Sequence, residues 1–157
     1  MSLENRLAAN VFASVLPWID QDRPLFFMHD EGGQSANALP DLCFQFLGSQ
    51  AGPIRIEFKV VKDSSRGRGV KLTANQVNGW CTSSSSSDKP HCWIGVHEGG
   101  EIYFFWEHAA IEPLIEQALP CNGYRTIRVP MPTLQCTHFL AVFRALLQFA
   151  EQRGLCP

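Results

Sequence analysis

The chemistry of this sequence is concentrated in the segment Ile54–Val61, where an acid and a lysine are separated by one residue. Apolar and polar side chains alternate along it, which is typical of a β-strand with one face in the core. Glu57 and Lys59 then share a face, about 7 Å apart along the strand. A second strand is predicted around Asp41, sixteen positions before Glu57. If these strands pair as a hairpin, two carboxylates and a lysine converge.

Two carboxylates beside a lysine suit a magnesium or manganese site. Such hard cations take carboxylate oxygens, backbone carbonyls and water, and often need only one or two protein carboxylates. A charged lysine is not a ligand, but it can hold an attacking water or stabilise negative charge on a phosphate. The residue types therefore favour chemistry on phosphate esters.

Basic residues are enriched next to this segment. Six of the 13 lysines and arginines lie between Arg55 and Lys71. The part from Lys62 to Lys71 has no apolar period and contains Gly67 and Gly69, so a mobile basic loop is predicted. Its cationic side chains would contact phosphates without reading sequence. The candidate nucleic-acid contacts are Lys62, Arg66, Arg68 and Lys71.

Length and composition restrict the classes of protein to which the chain can belong. The chain has 157 residues and a formal net charge of -2, so one domain is expected and the molecule as a whole is not a polycation. The six cysteines form no C-x-x-C pair, which argues against zinc. The N-terminal segment lacks the apolar core of an export signal, and no apolar run reaches membrane-spanning length. A cytoplasmic protein with free thiols is expected.

Periodicity predicts alternating helices and strands, and hence an α/β domain with a mixed sheet. Thr73 is the expected N-cap of the second helix. The predicted helices are Leu3–Ile19, Leu72–Trp80, Ala109–Leu119 and Leu134–Gly154. The predicted strands are Pro24–His29, Leu39–Phe46, Ile54–Val61, His91–His97, Glu101–Trp106 and an edge strand at Tyr124–Val129.

With Pro40-Asp41, Glu57-Phe58-Lys59 and the downstream Gln76, the chain resembles the PD-(D/E)xK nuclease superfamily, nearest to its Holliday-junction-resolvase-like and VRR-NUC-like branches. The resemblance covers about residues 1–106. It implies a restriction-endonuclease-like αβββαβ core with a mixed central sheet flanked by helices. Residues 107–157 would form a C-terminal helical extension of this single nuclease-like domain. DNA is the implied partner, and members of such families are often homodimers.

The resemblance also implies roles for individual residues. Lys59 would position or activate water, and Gln76 would support the site. Some branches add an acid from the first helix, for which Glu4 is the candidate here; the alternative for Glu4 is a carboxylate that complements the helix dipole. The implied ligands of Mg²⁺ or Mn²⁺ are Asp41, Glu57 and the main-chain carbonyl of Phe58.

Three other interpretations remain open. An exposed Glu-x-Lys is commonly a solvated strand face that contributes little to stability. A nuclease fold can also serve as a non-catalytic accessory subunit that binds a protein or nucleic acid, which the near-neutral net charge favours. In an unrelated α/β domain the pattern would be incidental, and Asp41 and Glu57 would then lie far apart.

Overall fold

The computed structural model describes residues 2–19, 25–29, 42–46, 54–74, 76–78 and 91–154 of the chain. Three helices of at least 10 residues lie in these ranges: α1 (Leu3–Ile19), α2 (His108–Gln117) and α3 (Phe139–Gln152). The strands in the same ranges are β1 (Leu25–His29), β2 (Leu42–Phe46), β3 (Ile54–Ser64), β4 (Gly67–Thr73), β5 (His91–His97), β6 (Tyr103–Glu107), β7 (Tyr124–Arg128) and β8 (Leu134–Cys136). None of these helices has both the length and the apolar composition needed to cross a membrane.

The strands form a mixed sheet with β3 near its centre. Six of them follow the order β1-β2-β3-β5-β6-β8, and β4 joins β3 and carries β7 on its other side. The β3–β5 pair is parallel, whereas the other pairs are antiparallel. The predicted α/β fold with a mixed central sheet is thus confirmed. The predicted antiparallel pairing of β2 with β3 is also present, with Leu42 opposite Ile56.

Alternation along β3 divides its side chains between two cores, one on each face of the sheet. Ile54, Ile56 and Phe58 pack in the first core with α1 and α3. Val61 belongs to the second core, which includes α2 and the inner face of β4 and β7. Because successive strand residues point to opposite faces, Glu57 and Lys59 lie on the side of the second core. The helices therefore flank the sheet on both faces, as predicted.

The prediction of a mobile loop over Lys62–Lys71 is wrong. β3 continues to Ser64, the chain turns, and β4 pairs back on it with Ser64 opposite Gly67. Gly67 has a φ of 105°, a left-handed conformation that glycine adopts without steric cost. Val70 and Leu72 are buried in the second core. Their alternation with small or charged residues is a strand pattern, and the glycines and serines concealed it.

The last third of the chain is not only a helical extension. A helix was expected from Leu134, but residues Leu134–Cys136 form β8, and the helix begins at Phe139. β8 pairs with β6, and the backbone N–H of Thr133 donates to the carbonyl of Phe105 at 2.8 Å. Pairing with the β6 edge satisfies backbone groups of both strands, which outweighs the local helical period. The helix end expected at Gly154 is confirmed by its φ of 68°.

Candidate active site

Glu57 and Lys59 are buried side by side on β3. Only 1% of Glu57 and 7% of Lys59 is exposed. The Lys59 Nζ lies 3.5 Å from Glu57 Oε1. The interpretation as a solvated strand face is therefore wrong, because a buried charge needs a partner and these two residues provide it for each other.

Gln76 joins the pair from the segment that follows β4. Its side-chain Nε2 donates to Glu57 Oε1 at 2.8 Å, and its Oε1 accepts from Lys59 Nζ at 3.1 Å. Both ends of the amide are thus used, which determines its orientation. We refer to Glu57, Lys59 and Gln76 as the charged cluster.

A capping box holds Gln76 in place. The backbone N–H of Thr73 donates to Gln76 Oε1 at 3.0 Å, and the backbone N–H of Gln76 donates to Thr73 Oγ1 at 3.2 Å. This reciprocal pair is the usual start of a helix in which Thr at the N-cap is followed three residues later by Gln. The expected cap at Thr73 is confirmed, and the helical residues that follow are 74 and 76–78. The cap fixes the backbone from which Gln76 reaches the charged cluster.

Asp41 lies outside the described residues, so its predicted approach to Glu57 stays a prediction. β2 begins, within the described ranges, at Leu42, which pairs with Ile56. Glu4 is described and lies in the first turn of α1, half-buried. It lines the same cleft as Lys59.

This cleft, of about 630 Å³, opens between β3 and a ribbon formed by β4 and β7. We call it the β3–β7 cleft. Lys62 and Lys71, two of the predicted phosphate contacts, are exposed on its walls. Charged and aromatic side chains that line it are Glu4, Lys59, Lys62, Asp63, Lys71, Tyr124 and Arg128. Four of these side chains are cationic, so the cleft is suited to an anionic ligand.

The other two predicted contacts, Arg66 and Arg68, are placed differently. Arg66 is exposed in the β3–β4 turn. Arg68 lies with its guanidinium carbon 5.0 Å from the centre of the Phe104 ring and donates to Gln135 Oε1 at 2.9 Å. It lines a separate groove of about 430 Å³ formed with Trp106, Pro130 and their neighbours. The basic segment is thus divided between two surfaces.

Sequence reasoning missed the contribution of β7 to the cleft. Arg128 Nη1 donates to Ser64 Oγ at 2.9 Å, so this guanidinium is held across the hairpin. Tyr124 is 60% exposed, and the Lys71 Nζ lies 4.1 Å from the centre of its ring. Arg128 and Tyr124 are more than fifty residues away from Lys71 in the chain. No local spacing could have linked them; only the β4–β7 register does.

The donors in the charged cluster fit a hard divalent cation. Glu57 supplies carboxylate oxygens, and Phe58 follows it with a main-chain carbonyl. The described residues contain no group of three or more His, Cys, Asp or Glu side chains that could hold a metal ion. Magnesium does not require such a group, because water and substrate phosphates complete its shell around one or two carboxylates.

A second group of buried polar side chains consists of His91 and Trp93 on β5 and His108 at the start of α2. Trp93, which is opposite Glu57 in the register, donates from Nε1 to His108 Nδ1 at 3.1 Å. The rings of His91 and His108 are stacked with centroids 4.6 Å apart. Burial lowers the pKa of His108 to about 4. Burial, with smaller effects of His108 and Arg55, lowers the pKa of His91 to about 2. We call these three residues the neutral cluster.

Comparison with known proteins gives no family. No family of known proteins matches the sequence, and no curated protein matches it. Among solved structures, a Holliday junction resolvase of Archaeoglobus fulgidus is similar at 12% identity and a TM-score of 0.43, over 79% of this chain and 87% of that one. A bacterial homing endonuclease is similar at 10% identity and a TM-score of 0.37, over 96% of this chain and 94% of that one. Likenesses this distant carry no functional argument.

Proposed function

We propose that this protein is a metal-dependent nuclease that hydrolyses phosphodiester bonds in DNA. The observation that supports this best is the buried Glu57–Lys59–Gln76 cluster, whose lysine lines a cleft with three further cationic side chains. A buried carboxylate next to a lysine that lines a basic cleft would combine a site for a hard cation with a site for a phosphate. We infer that Glu57 is the central ligand.

Two further groups are proposed to act with Glu57. Asp41 precedes the strand that pairs with β3 and is proposed as a second carboxylate ligand. The main-chain carbonyl of Phe58 is proposed as a third donor. Bound there, Mg²⁺ or Mn²⁺ would neutralise charge on the phosphate and lower the pKa of a water.

Lys59 is proposed to act on the phosphate or on the attacking water. Its ammonium carries three N–H donors. Among its described contacts, one N–H donates to Gln76 Oε1, and a second can point towards the Glu57 carboxylate, which is 3.5 Å from Nζ. That leaves one donor for an oxygen in the cleft, where it would stabilise the negative charge that develops during hydrolysis. Gln76 is a positioning residue, because it contacts both charged side chains and fixes the distance between them.

Lys62, Lys71 and Arg128 are proposed to bind the DNA backbone. They are exposed and line the cleft that contains Lys59. Contacts of this kind orient a nucleic acid and depend on salt, but they read no sequence.

The proposal is tested by manganese-dependent cleavage of three substrates: supercoiled plasmid, a single-stranded circle and a four-way junction. We expect cleavage that needs the metal and disappears in Asp41→Ala, Glu57→Gln and Lys59→Ala. Glu116→Gln, which removes an exposed carboxylate of α2, is the matched control and should cleave like the wild type. Cleavage that persists in Glu57→Gln and Lys59→Ala would overturn the assignment.

A non-catalytic accessory protein is the alternative function. The reciprocal contacts within the charged cluster are also what a purely structural polar group requires, which favours this alternative. It predicts binding of DNA or a protein partner with no cleavage of any substrate and no manganese binding. Calorimetric titration of Mn²⁺ into the wild type and Glu57→Gln separates the two functions.

A further inference from the structure

The β4–β7 ribbon has one apolar face and one polar face. Val70, Leu72 and Ile127 are buried in the second core. The alternate residues lie on the face of the cleft, because side chains in a strand point to opposite sides in turn. The register places Lys71 opposite Thr126, and Thr73 opposite Tyr124. The cleft face is therefore a continuous surface of basic, hydroxyl and aromatic side chains.

An aromatic ring, Tyr124, stands at the end of this face where β4 leads into the segment that carries Gln76. Tyr124 pairs with Thr73, whose backbone N–H donates to the Gln76 side chain. The backbone N–H of Ala74 also donates to the carbonyl of Gly123 at 2.8 Å. Two hydrogen-bonded connections thus tie the position of Tyr124 to the segment that carries Gln76.

The ring is available to a ligand and has a cation beside it. Tyr124 is 60% exposed, whereas Trp93 of β5 and the rings of Phe104, Phe105 and Trp106 of β6 are at most 2% exposed. The Lys71 Nζ lies 4.1 Å from the ring centre, within the range of a cation–π contact. Lys71 thus lies over one side of the ring, and Tyr124 is among the residues that line the β3–β7 cleft.

Arg128 lies at the other end of the same face. Its Nη1 donates to Ser64 Oγ at 2.9 Å and to the carbonyl of Gly67 at 3.4 Å. A Cβ at Gly69 would lie 2.9 Å from this Nη1, so the glycine leaves room for the guanidinium to cross the ribbon. Lys71 and Arg128 therefore form a row of cations that ends at the ring of Tyr124.

We propose that this face binds a single-stranded segment of DNA, with a base stacked on Tyr124 and the backbone along Lys71 and Arg128. A positive groove combined with an exposed aromatic ring is the arrangement that binds unpaired nucleotides, because every unpaired base offers a free π-face. In a duplex these faces are already stacked on each other. The inference rests on the proposed function and names its substrate class: DNA with unpaired nucleotides beside the bond that is cleaved.

The test measures binding without divalent metal, in EDTA, so that it does not depend on cleavage. The probes are a 20-nucleotide single strand with one 2-aminopurine and the duplex of the same sequence. The wild type should bind the single strand about tenfold more tightly than the duplex, and 2-aminopurine fluorescence should be quenched on binding. Tyr124→Leu should weaken single-strand binding about tenfold and abolish the quenching, whereas Tyr124→Phe should keep both.

Met131→Ala is the matched control, since Met131 is 89% exposed but lies in the separate groove with Arg68. It should bind like the wild type. Thermal melting of each variant shows whether Tyr124 only stabilises the ribbon through Lys71. Equal single-strand affinity of Tyr124→Leu and the wild type, or a preference for the duplex, would overturn the inference. A protein that shows the stacking signature but cleaves nothing would retain this binding site and lose the proposed hydrolysis, so the two failures are distinguishable.

Discussion

Two groups of buried polar side chains are centred on the neighbouring strands β3 and β5, and they differ in how the burial of their polar atoms is compensated. In the charged cluster, Glu57 and Lys59 are opposite charges bridged by Gln76. In the neutral cluster, Trp93 donates to His108, and the ring of His91 stacks on that of His108. Glu57 and Trp93 are opposite each other in the β3–β5 register, so the two clusters are adjacent.

The difference supports the proposal that the charged cluster, rather than the neutral cluster, does the chemistry. Burial lowers the pKa of both histidines, which keeps their rings uncharged at neutral pH and suits them to packing. The charged cluster instead keeps an acid and a lysine together, and its lysine reaches a basic cleft. Retaining charge inside a protein is costly, and such costs are found at functional sites more often than elsewhere.

The largest effect is expected where one charge is removed. Lys59→Met takes away the cation nearest to a buried carboxylate. We expect the free energy of unfolding to fall by about 3 kcal/mol and cleavage to fall by about 100- to 1,000-fold. Urea denaturation and plasmid cleavage measure the two effects. The double variant Glu57→Gln/Lys59→Met should regain much of the stability and none of the activity; a double variant as unstable as the single one would show that the two charges are not coupled.

The next largest effect is expected for Gln76, whose side chain bridges Glu57 and Lys59. Gln76→Leu removes the amide that contacts both charges, and we expect cleavage to fall by about 10- to 100-fold, as for other residues that orient ligands. The matched control is Asn78→Leu on the same segment, since Asn78 donates from Nδ2 to the carbonyl of Cys121 at 3.1 Å and does not contact the charged cluster in the described structure. Both variants should lose about 1 kcal/mol or more of stability. An equal loss of cleavage in Gln76→Leu and Asn78→Leu would show that Gln76 has only a structural role.

For the neutral cluster we expect an effect on stability in acid, and an effect on cleavage at neutral pH that is smaller than that of Gln76→Leu. The folded pKa is about 4 for His108 and about 2 for His91, both below the ordinary value of 6.5. Between these values and 6.5 the unfolded chain binds more protons than the folded one, so stability falls as pH is lowered, by about 1.4 kcal/mol per pH unit for each histidine. The contribution is fully present above pH 6.5. Denaturation at pH 7, 6, 5 and 4 measures it.

His108→Asn keeps an acceptor for Trp93 and removes one titrating ring. The pH dependence of stability between 6.5 and 4 should become shallower, while cleavage at pH 7.5 should stay within a few-fold of the wild type. A loss of cleavage in His108→Asn comparable to that in Lys59→Met would show that the neutral cluster matters for cleavage as much as the charged cluster does.

The smallest effect concerns two arginines on different surfaces and the salt dependence of DNA binding. Arg128 lines the β3–β7 cleft, whereas Arg68 lies in the separate groove. Arg128→Gln should reduce the slope of log affinity against log salt by about 1, as expected for the loss of one phosphate contact. Arg68→Gln should leave the slope unchanged. Fluorescence anisotropy with labelled DNA at 50 to 200 mM salt measures both, and the reverse result would place the DNA on the other surface.

Local patterns in the sequence were sufficient for part of the site. Alternation along Ile54–Val61 predicted that Glu57 and Lys59 share a face, and the structure places them there. Thr73 was the expected N-cap of the second helix, and this cap is formed, with Gln76 as its reciprocal partner. These features depend on neighbours within a few residues, so the repeat of the strand or the geometry of the first helical turn determines them.

Other features depended on contacts between distant segments. The basic segment became a hairpin because Val70 and Leu72 bury themselves against the second core, and Leu134–Cys136 became a strand because β6 offered an edge. Arg128 and Tyr124 reached the cleft through pairing of β4 with β7. Local sequence patterns determine which residues share a strand face, and therefore that the acid and the lysine are neighbours on β3. Which distant side chains complete the cleft depends on the tertiary structure, because strand partners are selected by burial and backbone hydrogen bonding across the whole domain.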